Sequence, residues 1–548
     1  SATYVDDATG LIKTTPVNKL LYSNDFTNAA WTRDNVTSTS TNITAPDGTG
    51  TATTFTFTQG QGFLYQDSGS VIGQSYVNSI WIKGNANATL GLRRPGMNNT
   101  ALGSNGTVAI NVTTEWQKFT AVTTSADNNT DGRLLLDLRQ SNGAIVPSGF
   151  EVSLWHAQTE EGTTATDYIN TTSTISGAAR YENGELLLEP ARTNFILNSD
   201  TADGSGIGTP VTSSIETVIS PRGVSESVRK VSRGGSGAVI WRMGSTSGGT
   251  PNTLYSASIW VKTVNGGTNT FNMDINDFNT TTFTATGEWQ RVHLTGGLRN
   301  GTFRFIDFNI GASTDPIYIW GAQLEAAPYA SSYIPTTSST VTRAADVSTS
   351  ALGVDSWYNQ SEGTLFSEFS TKVNTGTQSR WVAFLKNPAD FTNNYIAIST
   401  YATQLKALIV KSGGSLSAAI SIDGIVVVDQ FRKTAGSFKL DDFRAADNGT
   451  IMTGDTSGGM PAGITQMDIG SGWTNGNQKL NGHITRLAYF PTRKTDQELI
   501  DLTTDNRVYP YGRAIKNYPH DLGALPAEVT RYIDLENEYY ANAEYDLN

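Results

Sequence analysis

Leu154-Trp155-His156-Ala157-Gln158-Thr159-Glu160, followed by Asp167-Tyr168-Ile169-Asn170-Thr171-Thr172-Ser173-Thr174, returns later in the chain. It returns as Ile319-Trp320-Gly321-Ala322-Gln323-Leu324-Glu325, followed by Ser332-Tyr333-Ile334-Pro335-Thr336-Thr337-Ser338-Ser339. The Trp-to-Tyr spacing is the same in both copies. The match runs backwards in order. Tyr76-Val77-Asn78-Ser79-Ile80-Trp81-Ile82-Lys83 parallels Tyr255-Ser256-Ala257-Ser258-Ile259-Trp260-Val261-Lys262, and Glu115-Trp116-Gln117-Lys118-Phe119 parallels Glu288-Trp289-Gln290-Arg291-Val292. Asn18-Lys19-Leu20-Leu21-Tyr22-Ser23-Asn24 parallels Thr193-Asn194-Phe195-Ile196-Leu197-Asn198-Ser199. The offset is roughly 165–180 residues, the size of a whole domain and far above that of a solenoid unit.

Composition sets the class. The chain has 548 residues, enough for several domains, and Thr, Ser, Gly and Asn dominate it. β-branched and aromatic residues are plentiful and strong helix formers are thin, the pattern of short strands joined by polar turns. The fold class expected is all-β: two tandem jelly-roll β-sandwiches, a third sandwich, and a short, partly helical C-terminal tail. The formal net charge is −12. That disfavours nucleic acid as a partner, because phosphate neutralisation needs clustered Lys and Arg. No apolar run reaches membrane-spanning length, so no membrane insertion is expected. With 0 cysteines, disulfides, thiolate nucleophiles and zinc–thiolate centres are excluded.

The expected organisation is a lead-in over 1–17 with a turn at Asp6–Gly10, a first module over 18–172, and a connector hairpin over 173–193. A second module covers 194–340, a different sandwich 341–504, and an acidic, Tyr-rich tail 505–548. Thr54-Phe55-Thr56-Phe57-Thr58 alternates, placing both Phe rings on one face. Asn183-Gly184 between Tyr181 and Leu186–Leu188 is a two-residue hairpin signal. In the third unit, strands are expected at Gly363–Phe369, Trp381–Leu385, Tyr395–Ser399, Lys406–Lys411, Ile425–Val428 and Met467–Gly470. Thr495 with Glu498 forms a capping box for a short helix, and Pro526 suggests a second helix over Ala527–Tyr540.

Leu20-Leu21-Tyr22-Ser23-Asn24-Asp25-Phe26-Thr27-Asn28-Ala29-Ala30-Trp31-Thr32, Leu187-Leu188-Glu189-Pro190-Ala191-Arg192-Thr193-Asn194 and Tyr333-Ile334-Pro335-Thr336-Thr337 resemble modules of tailed-bacteriophage virion surface proteins. Such modules occur in head fibres, capsid decorations and tail fibres, and are jelly rolls similar to carbohydrate-binding modules. Glu362-Gly363-Thr364-Leu365-Phe366 and Asn481-Gly482-His483-Ile484-Thr485-Arg486-Leu487-Ala488-Tyr489-Phe490 resemble a concanavalin A-like, laminin-G-like sandwich. The resemblance covers residues 1 to about 503 and brings no catalytic motif. It implies a virion surface location after assembly in a bacterial cytoplasm. It also implies contacts with other virion proteins and with host surface glycans, and a homo-oligomer, a trimer by fibre analogy.

The repeated Trp pairs Trp81/Trp260, Trp116/Trp289 and Trp155/Trp320 are read as core packing between two sheets. Aromatics without a repeat partner are better ligand candidates: Tyr65 and Trp241, with Arg93, Arg94 and Arg242 as polar companions. Trp357, Trp381 and Trp473 stand similarly in the third unit. Sugar rings present C–H faces to aromatic planes while Arg bonds hydroxyls. His156, His293, His483 and His520 lie in four regions, so no metal and no cofactor is expected. The retained carboxylates Glu160/Glu325 and Glu115/Glu288 are read as turn or backbone supports, against a glycosidase pair. The expectation is a non-enzymatic, structural and adhesive protein. The alternatives are a polysaccharide depolymerase and a purely structural decoration protein that binds no sugar.

Overall fold

A computed structural model describes residues 2–6, 9–48, 51–58, 60–93, 106–124, 133–173, 175–182, 185–207, 211–234, 240–245, 248–275, 278–299, 304–311, 315–346, 348–350, 358–373, 379–472, 478–504 and 531–532. They divide into two compact units, one built on Thr15–Ala179 and one on Ser1–Thr14 with Arg180–Leu535.

Alternation builds the first module. Phe55 and Phe57 leave the strand Thr51–Phe57 on one face and meet at 6.0 Å in the core. The module is a sandwich of two five-stranded antiparallel sheets. The front sheet runs Thr107–Val112, Ala88–Arg93, Arg133–Asp137, Phe63–Asp67, Thr32–Asp34. The rear sheet runs Gln117–Thr124, Ser75–Gly84, Glu151–Glu161, Thr51–Phe57, Val36–Thr44. Leu64, Leu90, Leu92, Leu134 and Leu136 from the front sheet pack on Phe55, Ile80, Ile82, Val152 and Leu154 from the rear one.

The second module repeats that strand order. Its front sheet runs Phe278–Ala285, Asn269–Ile275, Arg304–Ile310, Ile240–Ser245, Gly204–Ile207. Its rear sheet runs Gln290–Arg299, Thr253–Thr263, Ile317–Glu325, Ser225–Arg233, Val211–Ile219. Both modules close alike, through the pairs Val17–Asn18 with Ser176–Gly177 and Arg192–Asn194 with Val341–Arg343.

The repeated tryptophans do not sit between the sheets. Ile80 and Ile82 point into the first core, so Trp81 between them points outward. It joins Trp155, Trp116, Ala45 and Ala52 on the outer face of the rear sheet. Trp260, Trp320 and Trp289 form the equivalent outer layer of the second module, with Tyr333 and Val228. There the lead-in seals it. Thr3–Val5 and Ile12–Thr14 pair as a hairpin, Ile12 enters the Trp layer, and Thr3 Oγ1 donates to Tyr333 O at 2.6 Å.

The third sandwich has a six-stranded sheet and an eight-stranded one. The connector hairpin belongs to it. Arg180–Glu182 pairs with Glu185–Leu188, which pairs with Gly482–Phe490. The turn residues Asn183 and Gly184 lie outside the described residues. Strands Glu362–Thr371, Ser379–Lys386, Tyr395–Tyr401, Gln404–Ser412 and Gln466–Ile469 form where the sequence places them. Ile425–Val428 is instead a crossing loop between Ser415–Ile422 and Arg432–Lys439, which lie in different sheets. Only Val426 of that apolar run is buried. The helix Asp496–Thr504 carries its capping box: Glu498 N donates to Thr495 Oγ1 and Thr495 N to Glu498 Oε2. The helix expected over Ala527–Tyr540 lies outside the described residues except at Arg531–Tyr532, which form a short strand on Gly482–Phe490.

A buried ionic cluster joins the second module to the hairpin. The Glu189 carboxylate, fully enclosed, accepts from Arg180 Nη1 at 2.7 Å, Arg343 Nη1 at 2.5 Å and Ser332 N at 2.9 Å. Arg180 also bonds Asp346 and Thr3 O, and Arg343 bonds Pro190 O. Burial alone would raise the Glu189 pKa, but the Arg343 and Arg180 guanidiniums outweigh it and hold the carboxyl well below its usual range.

Candidate functional site

Three polar residues shared by the two copies, an Asn, a Gln and a Glu, form a buried scaffold. Asn18 donates to Ala157 O and Ile169 O and accepts from Leu20 N and Thr159 N. Asn194, one residue beyond the position the sequence match gives it, makes the same four bonds with Ala322, Ile334, Ile196 and Leu324. Gln158 and Gln323 each accept from the amide after the shared Tyr, at Ile169 and Ile334. Glu160 accepts from Thr166 N and Oγ1; Glu325 accepts from Ser331 N and Oγ. Burial raises the pKa of both carboxyls against those bonds. Each therefore organises its own turn, as a backbone support does. Glu115 and Glu288 are exposed.

One repeated position differs chemically. His156 and Gly321 both hold left-handed backbone, at φ 52 and φ 65. Glycine adopts it freely, and histidine only under strain. The imidazole lies between Trp155 and Tyr168, and burial lowers its pKa to about 2.

The outer face of the first front sheet carries two of the ligand candidates, Tyr65 and Arg93. In the strand Phe63–Asp67, Leu64 and Gln66 turn inward while Phe63, Tyr65 and Asp67 turn outward. Cross-strand register sets Tyr65 beside Leu135, Phe63 beside Asp137, and Asp67 beside Arg133. The Phe63 and Tyr65 rings stack at 5.9 Å and 28°. The Arg133 guanidinium lies 4.1 Å over Tyr65 and the Arg139 guanidinium 4.6 Å over Phe63. Arg133 is forked onto Asp67 at 2.5 and 3.0 Å, and Arg139 onto Asp137 at 2.8 and 2.7 Å. Asp137 is fully buried and also accepts from Asn142 at 2.8 Å. The hydrogen bonds that Arg139 donates to Asp137 raise its pKa against desolvation. The result is a half-buried aromatic–guanidinium strip whose polar groups are held in place by carboxylates.

Tyr65 stands at the centre of this strip. Arg93 shares its sheet face, two strands away, but is 3% exposed. Arg94 lies outside the described residues. The corresponding face of the second module differs. Trp241 turns into the core at 5% exposure, its indole N–H donating to Ala202 O at 3.0 Å. Arg242 pairs with buried Asp307 and covers the enclosed Phe305 ring at 3.7 Å. Trp241 and Arg242 therefore point to opposite faces and build no common site. Trp381 is buried, its Nε1 donating to Gln478, while Trp357 and Trp473 lie outside the described residues. The sequence reading missed Phe63, Arg133 and Arg139. The Phe63-Leu64-Tyr65-Gln66-Asp67 alternation marks Phe63, but the arginines enter only through strand pairing. Among the described residues, no group of three or more His, Asp or Glu is placed to hold a metal.

No protein-family model matches the chain, and no curated protein matches it. Solved structures share its β-sandwich architecture at low identity. The Ruminococcus gnavus IT-sialidase CBM40 bound to α2,3-sialyllactose is 12% identical, covering 27% of this chain and 86% of its own, at TM-score 0.24. The CBM22-1–CBM22-2 tandem domain of Paenibacillus barcinonensis Xyn10C is 14% identical, covering 57% and 99%, at TM-score 0.19. Mouse laminin α1 domains LG4-5 are 7% identical, covering 57% and 91%, at TM-score 0.22.

Proposed function

We propose that this chain is a non-enzymatic, structural and adhesive protein whose first module binds a glycan across the outer face of its front sheet. The observation that carries this is the Phe63–Tyr65 stack flanked by Arg133 and Arg139. Aromatic planes suit sugar C–H faces, and forked guanidinium–carboxylate pairs suit hydroxyls at the rim. The retained carboxylates Glu160 and Glu325 are occupied within their own turns, which favours binding over a depolymerase. The resemblance of the Leu20–Thr32, Leu187–Asn194 and Tyr333–Thr337 phrases to tailed-phage virion modules places the protein, in this reading, on a virion. There it assembles as a homo-oligomer with other virion proteins and contacts host surface glycans, many weak sites supplying avidity.

A glycan array probed with the full chain, followed by calorimetric titration of the best-retained glycan, tests the reading. Tyr65→Ala is expected to weaken binding at least tenfold, in line with loss of one stacking ring. Undiminished binding by a folded Tyr65→Ala and Phe63→Ala pair would refute this site. Absence of any retained glycan would favour the purely structural role.

A further inference from the structure

Among the described residues, the rear sheet of the second module ends in an edge strand. Val211–Ile219 is nine residues long and pairs with Ser225–Arg233 through nine consecutive partners without a bulge. Among the described residues its other side has no strand partner. Ile215 is 45% exposed and Ile219 59%, and Ile207, on the adjoining edge of the front sheet, is exposed as well. Monomeric sheets blunt such edges with bulges, lysines or prolines, because a bare row of N–H and C=O groups recruits another strand.

The first module supplies an internal control. Trp116 Nε1 donates to Thr44 O and Trp289 Nε1 to Ile219 O, and Val36–Thr44 and Val211–Ile219 are the corresponding edges of the two rear sheets. Traced through their sheet partners, Val36 matches Val211 and Ser40 matches Ser214, and Ile215 falls opposite the register shift between Ser40 and Ile43. Six of the nine residues of the first-module edge are Ser or Thr, and it is broken by two register shifts. The corresponding edge is therefore regular and carries two exposed isoleucines in one copy only.

We propose that the edge Val211–Ile219 pairs antiparallel with the same edge of a second copy of this chain, joining two rear sheets into one continuous sheet. A two-fold register centred on Ile215 sets Ile215 against itself and Val211 against Ile219, all on one face of the sheet. The strand's charged residue, Glu216, is already neutralised by Lys230 at 3.0 Å and Tyr318 Oη at 2.7 Å. In this register it faces Ser214 of the partner strand, so like charges do not meet although the chain is acidic. A strand of this length gives a seam of roughly 30 Å by 10 Å, about 300 Å² per copy, well below a standard interface. Pairing is thus concentration-dependent and two-fold, giving an even-numbered assembly where fibre analogy suggests a trimer. It does not depend on the glycan reading.

Sedimentation equilibrium of the full chain over roughly 1–100 µM, the range such a seam demands, tests this. The expected result is a mass rising towards the dimer, with Ile215→Lys or Ile219→Lys weakening association at least tenfold while the melting profile still shows a folded chain. Ser40→Lys, on the corresponding edge of the first module, and Tyr65→Ala are expected to leave the mass unchanged. A monomer throughout, a trimer, a mass insensitive to Ile215→Lys and Ile219→Lys, or equal sensitivity to Ser40→Lys would each overturn the proposal.

Discussion

Replacing Glu189 with Gln keeps the volume of one buried side chain and removes one charge. In the native cluster two guanidiniums, Arg180 and Arg343, face two carboxylates, Glu189 and Asp346, and the charges cancel. After substitution the cluster carries a net positive charge. The side chains of Arg180 and Arg343 are 1% and 3% exposed, so water cannot compensate them. Removing one partner of a buried ion pair costs about 3–5 kcal/mol, mostly because the remaining charge stays desolvated. The Ser332 amide keeps an oxygen to donate to, which limits the loss to the ionic part. For a cooperative unit of roughly 150–250 residues this lowers the midpoint by about 6–20 °C, and by less if the second module and third sandwich melt together.

Differential scanning calorimetry of the full chain reads this directly. The transition of the unit containing Arg180–Leu535 is expected to fall, and that of Thr15–Ala179 to stay in place. A double variant, Glu189→Gln with Arg343→Met, is expected to recover at least half of the loss, because a buried pair replaced by uncharged groups of similar size is often neutral. A drop below about 1 kcal/mol for Glu189→Gln, the worth of an exposed pair, would refute an enclosed cluster.

The same calorimetry checks two further expectations. His156 is neutral in the folded chain, with its pKa lowered to about 2 by burial, so between pH 6.5 and that value only the unfolded state takes up the proton. The first module should therefore lose about 1.4 kcal/mol per pH unit as pH falls below 6.5, and His156→Gly should abolish that slope; an unchanged slope would show the imidazole to be accessible. Asn194→Ala strips two donors and two acceptors at once and should destabilise the second module by roughly 3 kcal/mol or more, with Asn18→Ala doing the same to the first. A loss under about 1 kcal/mol at either position would mean that the scaffold is solvated.

The repeat made the fold legible, because a strand's period of two is written in the side chains themselves. Phe55 and Phe57 declare their face, and so do Ile80 and Ile82. That same alternation already assigns Trp81 to the opposite face. Reading the tryptophans as filling between the sheets treated size as the deciding property, whereas parity decides it. What covers an outward tryptophan is a different matter. Ile12 reaches the Trp260–Trp320 layer from a hairpin more than two hundred residues away in sequence, and no local pattern encodes that distance. The ligand face divides along the same line. Tyr65 stands out in sequence because the other copy lacks it, and Phe63 follows by parity. Arg133 and Arg139 join them only because the strand Arg133–Asp137 pairs beside Phe63–Asp67. Trp241 carries the same compositional signal as Tyr65, yet its strand neighbours Ile240 and Arg242 face outward, so parity sends its ring into the core. Differences between the two copies thus locate function better than their similarities. What both retain, Asn18/Asn194, Gln158/Gln323 and Glu160/Glu325, holds the sandwich together. What one copy alone presents, the Phe63–Tyr65 strip in the first and the apolar edge of the second, is available for a partner.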